Sequence, residues 1–251
     1  KLAKEEQHRF RNQIILAKVS GVLREIKDIE VESGECEFIT TASTIGNEVY
    51  RRSVLFLALK AIDDVDTDGS VGQISVEYSI SKGLYCKAVN GSKITKEFIG
   101  KVRERMNECV KADMPITKRT ISTRDAMELF KEYGMKDKTQ LFKYRRGSTV
   151  NVYNLDGYED YFYGYMAPST GMLSVFELFT YDDGFVLQLP VKKNPEAVPE
   201  FAPPAKLFNV LKETTMWSEM LDMHTVGALN EHIAKGSIGE MMLVHAALQE
   251  Q

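Results

Sequence analysis

Four histidines and three cysteines are the side chains of this 251-residue sequence best suited to proton transfer, metal binding or nucleophilic attack. Their spacing builds none of these chemistries simply. His224, His232 and His245 share no i, i+4 pair, so no two of them stack on one helix face as a metal site needs, and His8 stands apart as a surface residue. Cys36, Cys86 and Cys109 are far apart, odd in number and lack a CxxC pair. That pattern points away from a zinc ribbon or disulfide framework and towards small apolar side chains in a reducing cytosol. A phosphate-cradling loop needs glycines whose N–H groups wrap the phosphates and a lysine that reaches them. GxxxxGK[ST] does not occur; Gly100-Lys101 is followed by Val102 and has no glycine five residues earlier. The acidic run Asp63–Gly69 starts like a calcium loop but has no bidentate glutamate at position twelve, and reads as a helix-capping loop.

Two stretches remain as candidate contacts. Lys143-Tyr144-Arg145-Arg146 mixes cations and an aromatic ring, as nucleic-acid surfaces do, although a strand with a solvated basic face looks the same. Tyr158, Tyr161, Phe162, Tyr163 and Tyr165 could stack on bases, or could be a strand that is half core and half edge. A formal net charge of -4 argues against coating nucleic acid through charge alone, while leaving room for a local basic patch. With 43% hydrophobic residues the chain can bury one large or two modest cores. Lys1-Leu2-Ala3-Lys4 opens no signal-peptide core, and no apolar run reaches bilayer length, so a cytoplasmic protein without membrane contact is expected.

The elements that must position these residues fall into three stretches. Residues 1–45 read as a polar helix, a β-rich run Ile14–Val19, a Ser20-Gly21 turn and two short strands: an incomplete β-grasp. Residues 46–190 read as a larger α+β unit. Val49–Ile62 has the wide apolar face of a buried helix, and Ile74–Ala88 reads as a hairpin. Thr95 and Ser122 are N-cap candidates, the second with Asp125 three residues on. From Leu141 the pattern turns to strands, with hairpin signals at Asp156-Gly157 and Asp182-Asp183-Gly184. Residues 191–251 begin with a strap rich in proline, which cannot donate to a ladder, and continue as helices. Ser237 with Glu240 suggests a capping box for a last helix with the stripe Ile238, Met241, Met242, His245 and Leu248. That helix runs to Gln251 without a stop signal, which leads to the expectation that the natural protein continues.

The string Val110–Ile116, followed by the capped helix at Ser122, resembles the connector in the second additional domain of threonyl-tRNA synthetases. Ile15–Gly21 resembles the TGS domain that opens both those enzymes and bacterial uridine kinase-like proteins. Leu141–Arg146, Asp160–Gly171, Asp183–Pro190 and Val226–Asn230 resemble the front end of bacterial uridine kinase-like proteins of the phosphoribulokinase/uridine kinase family. These resemblances imply an α+β fold: a partial TGS-like β-grasp, then a domain like the synthetase editing domain, then a helical connector towards a missing P-loop kinase domain. They imply an accessory region with a substrate-binding, regulatory or structural role, whose parent phosphorylates a nucleoside such as uridine. ATP and magnesium would serve that kinase domain, with no cofactor or metal in this chain. The implied partners are the chain's own C-terminal kinase domain and a nucleoside, nucleotide or tRNA. The alternative is an aminoacyl-tRNA hydrolase or an RNA-binding module.

In the synthetase family the editing pattern is HxxxH on a helix, a lysine, then DxCxxxH. The matching positions here are Arg52 and Phe56, then Lys138, then Asp160, Phe162 and Met166. The resemblance therefore implies a degenerate pocket: four of its six groups cannot relay a proton at neutral pH. Arg52 would either pair with Asp160 as a structural ion pair or hold an anion in a retained cleft, with Lys138, Tyr163 and Tyr165 as further nucleotide contacts.

Overall fold

Ile14–Val19 forms strand β1 after a short helix α1, Leu2–Glu6, where a single helix over Leu2–Phe10 is expected; a 3-10 turn, Gln7–Arg9, takes the rest. Ser20-Gly21 turns the chain into β2, Val22–Glu25, with φ of 49° and 82° at the two turn residues. β3, Cys36–Thr40, pairs on the other side of β1, giving an antiparallel sheet in the order β2-β1-β3. The computed structural model describes residues 2–26 and 35–249, so residues 27–34 of the expected β-grasp fall outside the described set. The same holds for the side chains of Glu240, His245, Leu248 and Gln249, and with them the expected capping box and part of the last stripe.

The chain forms two compact units, residues 1–119 with 153–203 and residues 120–152 with 204–251. The first is α+β. Its longest helix, α2 (Thr44–Val65), starts where Ser43 Oγ accepts from the Gly46 N–H at 3.0 Å. Gly46 is required there, because a Cβ would collide with the Thr40 carbonyl. Val49, Val54, Phe56, Leu57, Ala58, Ala61 and Ile62 are all buried, so α2 is a core helix on most of its circumference. The hairpin β4 (Ile74–Ile80) and β5 (Gly83–Ala88) follows through Ser81-Lys82, with φ of 50° and 65°. Helix α3, Lys96–Ala112, is capped by Thr95, whose Oγ1 accepts from Phe98 N at 3.1 Å. It buries Ile99, Val102, Met106 and Cys109, one per turn.

β6 (Thr117–Ser122), β7 (Thr149–Leu155) and β8 (Tyr158–Tyr161) form a sheet in that order, and β6 and β7 run on into the second unit. The β7–β8 turn is Asp156-Gly157, with φ of 49° and 86°, as its sequence predicts. β9 (Glu177–Tyr181) and β10 (Gly184–Gln188) complete the four-stranded antiparallel order β4-β5-β10-β9. Cys86, Phe185, Leu187 and Leu178 of that sheet join α2 and α3 in one core.

The second unit is helical apart from its share of β6 and β7. α4, Thr123–Glu132, has Ser122 as its cap, with Oγ accepting from Asp125 N at 3.0 Å. α5 spans Lys136–Lys143, so Leu141–Lys143 close a helix where strand is expected. Its only fully enclosed side chain is Phe142, whose ring stacks on Phe130 of α4 at 5.6 Å; that contact fixes a helical register over any strand preference. α6 (Ala205–Met220), α7 (Val226–Lys235) and α8 (Ile238–Gln249) follow the strap. Gly227 lets α7 approach α5: a Cβ there would sit 2.8 Å from Gln140 Cβ and 2.9 Å from Leu141 N. No described helix is long and apolar enough to cross a membrane.

Candidate functional site

The candidate residues divide between the units. Arg52, Phe56, Asp160, Phe162, Tyr163, Tyr165 and Met166 belong to the first; Lys138, Lys143, Tyr144, Arg145 and Arg146 belong to the second.

In the first unit, Arg52 and Phe56 lie one turn apart on α2 and share a face. β8 carries Asp160 and ends at Tyr161, so Phe162–Met166 is an irregular segment where an aromatic strand is expected. That segment packs on α2. The Phe56 and Phe162 rings meet edge to face at 5.3 Å, and Phe56 also lies 5.9 Å from Tyr158. Ser53 Oγ donates to Val49 O and accepts from Ala167 N, each at 2.8 Å, and Met166 Sδ lies 3.7 Å from it. Phe56, Met166 and Asp160 are buried, at 0%, 1% and 2% exposure; these positions are packed core. Phe162, Arg52 and Tyr165 are half-buried, and Tyr163 is exposed.

Arg52 Nη1 donates to the Tyr165 carbonyl at 2.8 Å. The Arg52–Asp160 ion pair considered from the sequence does not occur: among the described residues Arg52 has no carboxylate at ion-pair distance. The arginine instead satisfies a backbone acceptor in the 162–166 segment, and Asp160 Oδ1 accepts from Tyr161 N at 2.5 Å.

Behind this segment lies a polar cluster that sequence reading missed. Glu25 of β2 is 5% exposed. Its Oε1 accepts from Met166 N at 3.0 Å and lies 2.7 Å from Tyr153 Oη, and its Oε2 is 2.7 Å from Lys118 Nζ. Tyr153 Oη is also 2.6 Å from the Gly164 carbonyl. Burial, and then the Glu25 carboxylate, push the Tyr153 hydroxyl well above its ordinary range. Burial does the same to Tyr158, helped by Asp160 and Asp63. Neither phenol is a base at neutral pH. No local pattern marks Glu25, because Tyr153 and Met166, which it meets, lie 128 and 141 residues away.

In the second unit, Lys138 Nζ lies 3.5 Å from Met135 Sδ and 5.7 Å from the Phe130 ring centre. Lys143 Nζ pairs with Glu231 Oε2 at 2.9 Å, and Tyr144 Oη donates to the same oxygen at 2.5 Å. That hydroxyl, with Lys143 next, draws the Glu231 carboxyl down to about 2. Half of the basic-aromatic run is therefore tied to α7, while Arg145 lies 5.8 Å from the Phe142 ring and Arg146 is exposed. Cys86 and Cys109 are buried, but Cys36 is exposed, contrary to the expectation that all three sit in the core.

No protein-family model matches the chain. It is similar to the threonine–tRNA ligase of Syntrophotalea carbinolica, 32% identical over 148 residues, which are 59% of this chain and 23% of that protein. It is also similar to the threonine–tRNA ligases of Acidithiobacillus ferrooxidans, 26% over 165 residues, and Burkholderia lata, 27% over 162 residues, covering 65% and 64% of this chain and 25% of each ligase. The chain thus contains a threonyl-tRNA synthetase-like region and spans about a quarter of the length of these curated relatives.

Proposed function

We propose that this chain is a tRNA-binding module whose editing-like site no longer hydrolyses the aminoacyl bond. The carrying observation is the packing of Phe56 and Met166, at 0% and 1% exposure, into positions that the editing pattern fills with histidine. Deacylation needs a placed water and a group that takes its proton near the working pH. A phenyl ring and a thioether supply neither, and the Arg52 guanidinium is a donor already engaged by the Tyr165 carbonyl. The similarity to tRNA ligases supports tRNA as the ligand class. The contacts are Arg52, Tyr163 and Tyr165 in the first unit and Lys143, Tyr144, Arg145 and Arg146 in the second.

The test is fluorescence anisotropy of labelled tRNA with the chain between 50 and 200 mM salt. Phosphate contacts release counterions, so affinity should fall steeply, and Arg145→Ala with Arg146→Ala should flatten the log–log slope by about two. Binding that is absent, or indifferent to salt, sinks the proposal. The finer reading, an accessory region of a uridine kinase-like protein with ATP and magnesium in a further domain, rests on the resemblance of the aromatic block and the 226–230 segment. The similarity to tRNA ligases adds nothing to it.

A further inference from the structure

We propose that Glu25 is the positioning residue of the 162–167 segment: a side chain of the small β2-β1-β3 sheet that sets the loop carrying Phe162, Tyr163 and Tyr165. This deepens the tRNA-binding reading and rests on it for the ligand, though not for the geometry.

The segment 162–167 has no ladder partner, so its backbone groups must be satisfied otherwise. On the α2 side, Ser53 Oγ takes the Ala167 N–H and Arg52 takes the Tyr165 carbonyl. Glu25 Oε1 accepts from the Met166 N–H at 3.0 Å. The Tyr153 hydroxyl, 2.7 Å from Glu25 Oε1, lies 2.6 Å from the Gly164 carbonyl. One backbone N–H of the loop thus meets the carboxylate directly, while the Tyr153 hydroxyl, with one proton for two acceptors, lies between that carboxylate and the Gly164 carbonyl. Met166 N is buried with its residue, so losing that acceptor leaves a donor that water does not reach. Lys118, 2.7 Å from Oε2 and with its side chain 27% exposed, offsets the carboxylate's charge.

The charge and the acceptor are separable. Glu25→Gln with Lys118→Met removes the ion pair and keeps an acceptor oxygen at Oε1. Glu25→Met with Lys118→Met removes both and leaves an apolar pair of similar volume, a replacement that folded proteins tolerate. Hydrogen exchange and tRNA affinity are read on the full chain for both double variants. The Met166 amide should exchange at least about tenfold faster in the Met/Met variant than in the Gln/Met variant, with β5 amides unchanged as a control for global stability. Affinity for tRNA should fall about tenfold in the Met/Met variant with the salt slope unchanged, since no phosphate contact is removed. The Gln/Met variant should stay within about twofold of the parent, which a general loss of stability would not allow. Equal Met166 protection in the two variants overturns the proposal. Failure of the parent to bind tRNA sinks the functional reading, while the exchange comparison still decides the role of Glu25. If Met/Met does not fold, Tyr153→Phe tests the same chain of contacts: it frees the Gly164 carbonyl and should raise exchange around residues 164–166 selectively, and uniform exchange counts against the proposal.

Discussion

Gly164 lies directly against the Arg52 guanidinium: a Cβ built on it would be 2.8 Å from Nη1, and the residue holds a φ of 119°. The two residues make one device, in which the flat cation covers a backbone turn whose φ favours glycine, while Nη1 donates to the next carbonyl, that of Tyr165, at 2.8 Å. Gly164→Ala should therefore cost about 1–3 kcal/mol through strain at that φ alone. Adding Arg52→Ala relieves the clash but not the strain. Urea unfolding of the two single variants and the double should show a double-variant cost smaller than the sum. Strict additivity would mean that the guanidinium does not lie on the glycine.

Phe56 and Phe162 differ in burial although their rings touch. Phe56 is fully enclosed, between Phe162 and Tyr158, and Phe56→Ala should cost about 3–5 kcal/mol. Phe162 keeps one side towards solvent, so Phe162→Ala should cost clearly less, on the order of 1–2 kcal/mol. Equal costs in urea melts would contradict the packing described.

The Glu231 carboxyl should show itself in acid. Its folded value, drawn down to about 2 by Tyr144 and Lys143, lies below the ordinary 4.5. Such a group stabilises the fold above the ordinary value, and that contribution fades as pH falls towards the folded one. The gap in melting temperature between the parent and Glu231→Gln should be full at pH 7, begin to close below about pH 5 and be nearly gone near pH 2. A gap that is constant over this range would place the carboxylate away from Lys143.

The sequence reading succeeds where the information is local. Thr95 and Ser122 cap helices and Asp156-Gly157 closes a hairpin, because each depends on residues within one turn of itself. It fails where distant partners decide. Leu141–Lys143 has strand-compatible residues but is helical because Phe142 stacks on Phe130. β8 stops at Tyr161 because residues 162–167 trade ladder bonds for Arg52, Ser53 and Glu25. Of the positions that the editing pattern points to, Phe56 meets Phe162, Met166 meets Ser53, and Arg52 donates to the Tyr165 carbonyl. Lys138 belongs to the other unit, and nothing nearby in sequence marks Glu25, Lys118 or Tyr153.

The chain should release no serine from Ser-tRNA above the uncatalysed rate. Putting the editing side chains back, with Arg52→His, Phe56→His, Phe162→Cys and Met166→His, should not restore activity either. At positions 56 and 166 the new imidazoles would enter space that is 0% and 1% exposed. Each unsatisfied ring nitrogen there costs about 1–3 kcal/mol, and a water cannot enter without displacing core. Arg52→His also removes the donor to the Tyr165 carbonyl and loosens the loop on which Phe162 sits. The expected outcome is a quadruple variant with a lower melting temperature and no deacylation. If the parent chain itself deacylates Ser-tRNA and Asp160→Ala abolishes that activity, the packed site is a working one, and the chain is a hydrolase with Asp160 at its centre.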